Sequence, residues 1–412
     1  MADPVNTVPV MLNQIFVAVQ LAEQAKCISN PNPRVGCSIY APSDTDTVIG
    51  HGHTQPQSQP HAEVMALRDA AAKGHSVKGA TAYVTLEPCS HYGRTPPCCN
   101  AFIEAGVGKV VVAILDPNPL VSGRGVQMLR AAGIEVEVLP QDSAEAAASR
   151  ELNIGFFSRM LRKTPWVRMK VAASLDGQTA LANGQSQWIT GPAARADGHA
   201  WRARACAVLT GIGTVLQDDP LLDVRHVDTP RQPHLVIVDS KLETPPSAKL
   251  FTTLGKRAVA PEVAAKFNLS GEAADSIAGR AIYIYAAAPN AAKQTALEAR
   301  GATVIYMPEQ ITGNPEHAKV DLQAMLLDLA KREINELHVE AGFKLNGSLL
   351  KAGVVDELLL YTAPKLLGPG MGIANTPALA LMGDAVQLDF KSADLVGEDL
   401  RIIARLRGRD QF

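Results

Sequence analysis

The sequence from His61 to Cys98 reads HAEVMALRDAAAKGHSVKGATAYVTLEPCSHYGRTPPC. One imidazole, from His61, and two thiols, from Cys89 and either Cys98 or its neighbour Cys99, form a ligand set that zinc prefers. Three protein ligands leave a fourth position for water, as in catalytic zinc sites. Glu63 follows His61 by two residues, where its carboxylate could act as the proton shuttle that such a water needs.

This order of residues, His-x-Glu followed by Pro-Cys, is the signature of zinc nucleobase deaminases, in which the Glu is an acid/base and not a ligand. The second Cys here follows the first by nine positions, where the common form has three. A closed structural zinc site is the alternative interpretation. Because adjacent side chains diverge, only one of Cys98 and Cys99 should reach the metal easily.

The composition limits the class of protein. A chain of 412 residues predicts two or three domains, and 47% hydrophobic with 19% charged residues is typical of a globular protein. The net charge of −2 argues against nucleic acid as a partner. No apolar run is long enough to span a membrane, and the N-terminus lacks a signal-peptide pattern. The spacing of the six cysteines predicts no disulfide framework, so we expect a cytoplasmic protein.

Alternating helix and strand patterns predict α/β folds in both halves. The first half predicts a largely parallel sheet with helices over 10–27 and 61–72. We place a deaminase domain at 1–145, a connecting helix at 146–164 and a second α/β domain at 165–412. Residues 253–279 predict a surface insertion. Strands in the second domain are expected at 166–172, 207–210, 235–238, 281–285, 303–306, 337–340, 358–361 and 401–406, with helices at 191–204, 321–333 and 346–352.

Two glycine-containing turns in the second half follow predicted strands. Gly211-Ile212-Gly213 and the stretch Gly342–Ser348 each lead into a helix, where backbone N–H groups could face a phosphate. A plain tight turn explains the first equally well. Arg202 and Arg225 could bind a phosphate bidentately, although solvated arginines are common. Trp188 could stack on a flat ring or belong to the core.

The run Ala82–Cys98, AYVTLEPCSHYGRTPPC, closely resembles the deaminase domain of the bifunctional riboflavin-biosynthesis deaminase/reductases, including its long Cys–Cys spacing. Further matches to this family lie in both halves of the chain. They are Pro31–Gly36, Asp116–Pro119, Ala173–Gly177, Ser186–Thr190, Gly213–Pro220 and Val339–Gly342.

The resemblance implies a cytidine-deaminase-like N-terminal fold followed by a dihydrofolate-reductase-like C-terminal fold. It implies zinc-dependent deamination of 2,5-diamino-6-ribosylamino-4(3H)-pyrimidinone 5′-phosphate. NADPH would then reduce the ribosyl group of 5-amino-6-(5-phosphoribosylamino)uracil to ribityl. The implied partners are this small pyrimidine nucleotide and further copies of the chain, joined through the reductase domain, with no nucleic acid and no membrane.

Matching positions assign residues to these roles. The resemblance implies His61, Cys89 and Cys98 as zinc ligands and Glu63 as the proton donor. NADPH contacts are implied at Ala172, Trp188, Thr214, Asp218, Ser240, Gly342, Phe343, Lys344, Leu345, Asn346, Gly347 and Ser348. Substrate contacts are implied at Ser186, Arg202, Leu222, Arg225, Glu340 and Lys170, and Lys170 and Asp218 lie where the family organises its reductive chemistry.

The loop before His61 departs from the family. Ser58 stands where the family has a glycine, and Gly52-His53-Thr54 replaces its Gly-Tyr-His. We treat His53 as the candidate replacement for the family's loop histidine. Two other functions compete with the main one. A nucleic-acid deaminase would bind RNA, and a nucleotide-binding regulatory protein with structural zinc would release no ammonia.

Overall fold

A computed structural model describes residues 11–42, 44–93, 96–119, 121–255, 258–309 and 318–412. Residue 10 of the first predicted helix, and residues 94 and 95 of the matched stretch, lie outside this part. The chain forms two compact units. One ends at Leu161 and also includes Ala258–Ile277, and the other begins at Arg162. The first unit thus contains most of the predicted connecting helix, which the structure divides into two helices.

The first unit contains a five-stranded sheet with the order β2-β1-β3-β4-β5. Its elements are α1 (Met11–Glu23), β1 (Gly36–Ala41), β2 (Asp44–His53), α2 (Ala62–Ala72), β3 (Thr81–Val84), α3 (Cys98–Ala105), β4 (Lys109–Val112), α4 (Arg124–Ala131), β5 (Glu135–Val138), α5 (Ala144–Leu152) and α6 (Ile154–Arg162). Strands β3, β4 and β5 run parallel, but β1 is antiparallel to both β2 and β3. The prediction of a largely parallel sheet therefore holds for two of the four pairings, and the β1–β2 pairing is antiparallel because their short connection permits only a hairpin.

Helices α1 and α2 cover opposite faces of this sheet. A Cβ atom on Gly36 would lie 1.9 Å from the carbonyl oxygen of Ala18 in α1. A Cβ atom on Gly52 would lie 2.5 Å from the carbonyl oxygen of Ala62 in α2. Gly52 pairs with Cys37, the neighbour of Gly36, so the two glycines face opposite sides. Both helices approach the sheet this closely only because glycine has no side chain.

We expect Gly36→Ala to lower the melting temperature of the first unit. The added methyl group would meet the backbone of α1, and overpacking of this kind costs about 1–3 kcal/mol. Gly271→Ala is the matched control, because a Cβ atom there meets nothing within 4 Å. Differential scanning calorimetry measures both variants, and equal melting temperatures for Gly36→Ala and the wild type would contradict the close packing of α1.

The second unit contains a nine-stranded sheet with the order β11-β10-β9-β8-β12-β6-β13-β16-β15. Its strands are β6 (Trp166–Ser174), β8 (Ala207–Gly211), β9 (His234–Val238), β10 (Ile282–Ala286), β11 (Ala302–Tyr306), β12 (Glu336–Val339), β13 (Glu357–Ala363), β15 (Leu388–Val396) and β16 (Asp399–Leu406), with a small separate pair formed by β7 (Ala180–Leu181) and β14 (Gly370–Met371). The seven strands from β11 to β13 run parallel, and β16 and β15 continue the sheet in antiparallel pairing.

All eight strands predicted for this half are present, with bounds shifted by one or two residues at most ends. The sequence missed β15, most of whose residues are exposed, and the two-residue strands β7 and β14. The helices are α7 (Pro192–Arg204), α8 (Ile212–Asp218), α11 (Ala291–Glu298), α12 (Leu322–Lys331) and α13 (Phe343–Lys351). The main core joins apolar residues of the central strands to α12 and α13.

The predicted surface insertion at 253–279 contains two short helices, α9 (Pro261–Lys266) and α10 (Gly271–Ser276), which belong to the first unit. No residue of α9 is buried, and Ala273 is the buried residue of α10. Among the described residues, no helix is long and apolar enough to cross a membrane.

Candidate functional site

The three predicted zinc ligands come together in the first unit. His61 is the N-cap residue of α2, Cys98 is the first residue of α3, and Cys89 lies in the loop after β3. The Nδ1 atom of His61 lies 3.7 Å from Sγ of Cys89 and 3.4 Å from Sγ of Cys98. All three donor atoms lie within 4.8 Å of one another. Tetrahedral zinc with ordinary bond lengths separates its N and S ligands by about 3.5 Å, so this donor set fits zinc.

Cys99 points away from these donor atoms. Its Sγ lies 3.4 Å from the carbonyl oxygen of Pro88 and 3.6 Å from that of Gly125, either of which can accept the S–H hydrogen. Cys98 instead directs its sulfur toward His61, and its backbone N–H donates to Sγ of Cys89 at 3.3 Å. The geometry therefore separates the two adjacent cysteines, which the sequence could separate only through the resemblance.

Glu63 lies in the first turn of α2 and is buried beside the three donor atoms. Burial, together with the negative charge of Cys89, raises the pKa of Glu63 to about 7. Hydrogen bonds from Cys98 and from His61 lower the pKa of Cys89 to about 4, although burial opposes this. A thiolate beside a carboxyl group that can gain and lose a proton near neutral pH suits metal binding with proton transfer.

Glu87 supports the loop that carries Cys89, a role that the sequence analysis did not identify. Its carboxylate accepts four backbone N–H groups, from Asp116 at 3.2 Å, Gly123 at 2.8 Å, Gly125 at 2.9 Å and Val126 at 3.2 Å. A Cβ atom on Gly125 would lie 2.1 Å from the carbonyl oxygen of Pro88. The Glu-Pro-Cys sequence was a signal for this residue, but its partners lie about thirty or more residues away along the chain.

The unusual loop before His61 is explained in part. Ser58 has φ 69°, a left-handed conformation that favours the glycine found there in the family. His53 pairs with Gly36 and therefore faces the α1 side of the sheet, opposite the side that carries α2 and Glu63. The Thr54 hydroxyl accepts the N–H of Val35 at 3.1 Å. The geometry thus gives no support to His53 as a replacement for the family's loop histidine.

Apart from Trp188, the predicted cofactor positions of the second unit lie at the carboxyl ends of four adjacent strands, β9, β8, β12 and β6. Ala172 lies near the end of β6, and Ser240 follows β9. Thr214 and Asp218 lie in α8, directly after β8, and Gly342–Ser348 forms the N-cap and first turns of α13, after β12. Because these strands are parallel, their carboxyl ends meet at one edge of the sheet, where α/β proteins bind nucleotides.

The starts of α8 and α13 are adjacent. The Glu340 N–H donates to the carbonyl oxygen of Leu209 at 2.8 Å, and the Thr210 hydroxyl donates to the carbonyl oxygen of Glu340 at 2.8 Å. A Cβ atom on Gly211 would lie 3.0 Å from Cδ2 of Leu345. The N–H groups at the start of α13 favour a negatively charged ligand such as a cofactor phosphate. The residues at this edge therefore fit NADPH.

Within Gly342–Ser348, not every residue faces open space. Gly342 and Ser348 are exposed, and so is Lys344. Asn346 is buried, and its Nδ2 donates to the carbonyl oxygen of Ile373 at 3.0 Å. A Cβ atom on Gly347 would lie 2.2 Å from the carbonyl oxygen of Asn375. These two residues pack against the segment at 373–375.

The predicted substrate residues Arg202 and Glu340 form a bidentate ion pair. Nε and Nη2 of Arg202 donate to the two Glu340 oxygens at 2.6 and 2.8 Å, and Nη1 donates to the carbonyl oxygen of Asp223. The guanidinium is buried, so it is not the solvated arginine considered from the sequence. Arg225 is more open, and its Nη1 donates to Asp223 at 2.9 Å. Burial lowers the pKa of Lys170, and the nearby charge of Glu340 opposes this.

The remaining predicted residues vary in exposure. Trp188 is 65% exposed, with Arg195 lying 4.6 Å from its ring, so this Trp does not belong to the core. Ser186 is half-buried, and Asp218 is exposed. Leu222 is buried and has φ 51°, in the loop that the side chain of Arg280 holds through the carbonyl oxygens of Leu221 and Leu222.

Each half of the chain matches a known protein family. The cytidine and deoxycytidylate deaminase zinc-binding region matches residues 13–114, and the RibD C-terminal domain matches residues 165–402. The chain belongs to the RibD family of riboflavin-biosynthesis deaminase/reductases. RibD of Escherichia coli is 39% identical over 399 residues, which cover 93% of this chain and 96% of that protein. RibD of Haemophilus influenzae is 39% identical over 405 residues, covering 95% and 96%.

Solved structures of this family also match over 96% of the chain. One form of Acinetobacter baumannii RibD has a TM-score of 0.77 at 37% identity and covers 96% of this chain and 98% of that one. The Thermotoga maritima diaminohydroxyphosphoribosylaminopyrimidine deaminase/5-amino-6-(5-phosphoribosylamino)uracil reductase has a TM-score of 0.74 at 28% identity, covering 96% and 98%. The predicted fold classes, a cytidine-deaminase-like domain followed by a dihydrofolate-reductase-like one, are confirmed. As RibD enzymes do, the chain uses zinc and NADPH.

We expect Cys98→Ser to lose bound metal and Cys99→Ser to keep it. Serine is a poor zinc ligand at neutral pH, and the Cys99 thiol is directed toward backbone carbonyls. Metal content per chain, measured by mass spectrometry on the purified variants, distinguishes the two. Loss of zinc from Cys99→Ser alone would reassign the ligand.

Proposed function

We propose that the chain catalyses two successive reactions of riboflavin biosynthesis at separate sites. The first unit deaminates 2,5-diamino-6-ribosylamino-4(3H)-pyrimidinone 5′-phosphate, and the second reduces the ribosyl group of 5-amino-6-(5-phosphoribosylamino)uracil with NADPH. The observation that carries the proposal is the convergence of His61, Cys89 and Cys98 beside a buried Glu63. Family membership over more than nine-tenths of the chain supports the second reaction.

In the deaminase site, His61, Cys89 and Cys98 would hold the zinc. Bound zinc lowers the pKa of a water ligand to about 7, which supplies a nucleophile at neutral pH. The Glu63 carboxylate would accept a proton from the attacking water and pass it to the departing amine. Its position in the first turn of α2 places the buried carboxylate beside the ligands, which suits it to both transfers.

In the reductase site, we propose that NADPH contacts the strand-end residues Ala172, Thr214, Asp218 and Ser240, the start of α13 and Trp188. NADPH supplies the hydride. Ser186, Leu222, Arg225 and Lys170 would position the substrate together with Arg202 and Glu340. Arg202 and Glu340 are paired with each other in the structure, and we propose that the substrate replaces part of this pairing.

The proposal also covers the domain bounds, the oligomeric state and the location of the protein. We place the domain divisions at 1–145, 146–164 and 165–412. We propose a homo-oligomer formed through the reductase domain, because the edge strand β15 exposes Phe390 by 76% and Leu395 by 77%. We propose a cytoplasmic location, which the six free cysteines support.

Incubation of the purified protein with the pyrimidine phosphate tests the first reaction through ammonia release. Addition of NADPH then tests the second reaction through NADPH oxidation and formation of the ribityl product. A regulatory protein with structural zinc would bind the metal and release no ammonia, and a nucleic-acid deaminase would shift RNA in a gel.

Glu63→Gln should keep zinc and lose ammonia release by about 10²-fold or more, because an amide can hydrogen-bond to the nucleophile but cannot accept its proton. Reduction of the supplied uracil intermediate by NADPH serves as the internal control and should persist. Near-normal ammonia release by this variant would exclude Glu63 as the proton shuttle.

Arg225→Ala and Arg202→Ala should each raise the KM for the phosphorylated intermediate and leave the Kd for NADPH nearly unchanged. A hydrogen bond to a charged group contributes about 1.5–3 kcal/mol, or roughly ten- to a hundredfold in affinity. Arg202→Ala should also lower stability, because it leaves the Glu340 carboxylate buried without its partner. Weaker NADPH binding with an unchanged KM would assign these arginines to the cofactor.

A further inference from the structure

His338 lies two residues before Glu340, in β12, and is fully buried. Neither of its ring nitrogens makes a hydrogen bond within the described part of the chain. Nε2 lies 3.5 Å from Oε1 of Glu340, which is within ion-pair distance but outside hydrogen-bond geometry. A buried polar group without a partner costs free energy, so its presence beside a site residue calls for an explanation.

The charged side chains on either side of His338 are paired, whereas its own ring nitrogens have no hydrogen bond among the described residues. Residues 336, 338 and 340 alternate onto one face of the sheet. At the amino end of this face, Glu336 accepts from Arg168 at 3.0 Å and from Arg204 at 2.8 Å. At the other end, Arg202 occupies both oxygens of Glu340. The imidazole between these two pairs is the group that lacks good hydrogen bonds.

We propose that His338 is a positioning residue for the reductase reaction, whose Nε2–H donates to Oε1 of Glu340 when substrate draws Arg202 away from that carboxylate. The proposal rests on the proposed roles of Arg202 and Glu340 as substrate contacts. Each Glu340 oxygen accepts one N–H from Arg202, and without a second donor the carboxylate would become an unpaired buried charge once Arg202 turned to the phosphate.

The position and state of the ring suit this role. A shortening of the 3.5 Å separation by a few tenths of an ångström would bring Nε2 and Oε1 to hydrogen-bond distance. Burial lowers the pKa of His338, against the opposing effect of Glu340, and so favours the neutral ring, in which one nitrogen carries a hydrogen. A neutral donor stabilises the carboxylate without competing for the phosphate.

The test compares three variants of His338 in the full-length zinc-loaded protein. His338→Leu and His338→Met remove the donor and fill the space with apolar atoms, and His338→Gln keeps an N–H donor. We expect Leu and Met to raise the KM for the phosphorylated uracil intermediate about tenfold, with the Kd for NADPH and the rate of ammonia release within twofold of wild type. Gln should recover most of the loss. Two apolar variants are used so that a folding failure of one leaves the comparison intact.

His234→Leu is the matched structural control. His234 lies at the amino end of β9, and its Nδ1 accepts the N–H of Ala281 at 3.0 Å. Its loss should lower the melting temperature and leave the KM unchanged. An unchanged KM in His338→Leu and His338→Met, or a KM in His338→Gln as high as theirs, overturns the proposal.

Glu340→Gln distinguishes a failure of this inference from a failure of the proposed function. It should raise the KM, and His338→Leu added to it should cause no further rise, because both changes disrupt the same interaction. Independent multiplicative effects would overturn the role of His338. If Glu340→Gln and Arg202→Ala both leave the KM unchanged, the proposed substrate contacts themselves are wrong.

Discussion

Parallel strands bring their carboxyl ends to one edge of a sheet, and both candidate sites depend on this constraint. In the first unit, β3 and β4 are parallel neighbours, so the loops that follow them meet. Glu87, after β3, can therefore accept the N–H groups that follow β4, and this fixes the loop that carries Cys89. In the second unit, four adjacent strands place the cofactor residues at one edge by the same rule.

Helix starts provide the second common element. His61 and Cys98 occupy the starts of α2 and α3, where the backbone leaves N–H groups unpaired and favours negative charge. The start of α13 offers the same property to a cofactor phosphate. A rigid sheet edge that ends in such helices fixes ligand groups with little freedom, which metal binding and hydride transfer both require.

The sequence predicted the zinc donors because their chemistry and spacing are local. It predicted the strands of the second unit because fully buried parallel strands form continuous apolar runs. It failed at β15, whose exposed residues carry no such pattern, and at the antiparallel pairing of β1, which depends on the length of a turn. The pairing of Arg202 with Glu340 joins residues 138 positions apart, so neither the resemblance nor the local pattern could predict it.

Charged side chains on one face of the reductase sheet pair with arginines of α7 at both ends of β12. At the amino end, Arg168 joins Glu336 and Glu357 in a fully buried network, and Arg204 of α7 also binds Glu336. Such networks add little net stability, but their geometry fixes how a helix lies on a sheet. Because Arg202 belongs to the same helix, that fixed placement aligns it with Glu340. At the carboxyl end, the His338 ring lies 3.5 Å from Glu340 and has no hydrogen bond within the described part of the chain, so an unused donor stands next to the carboxylate that Arg202 binds.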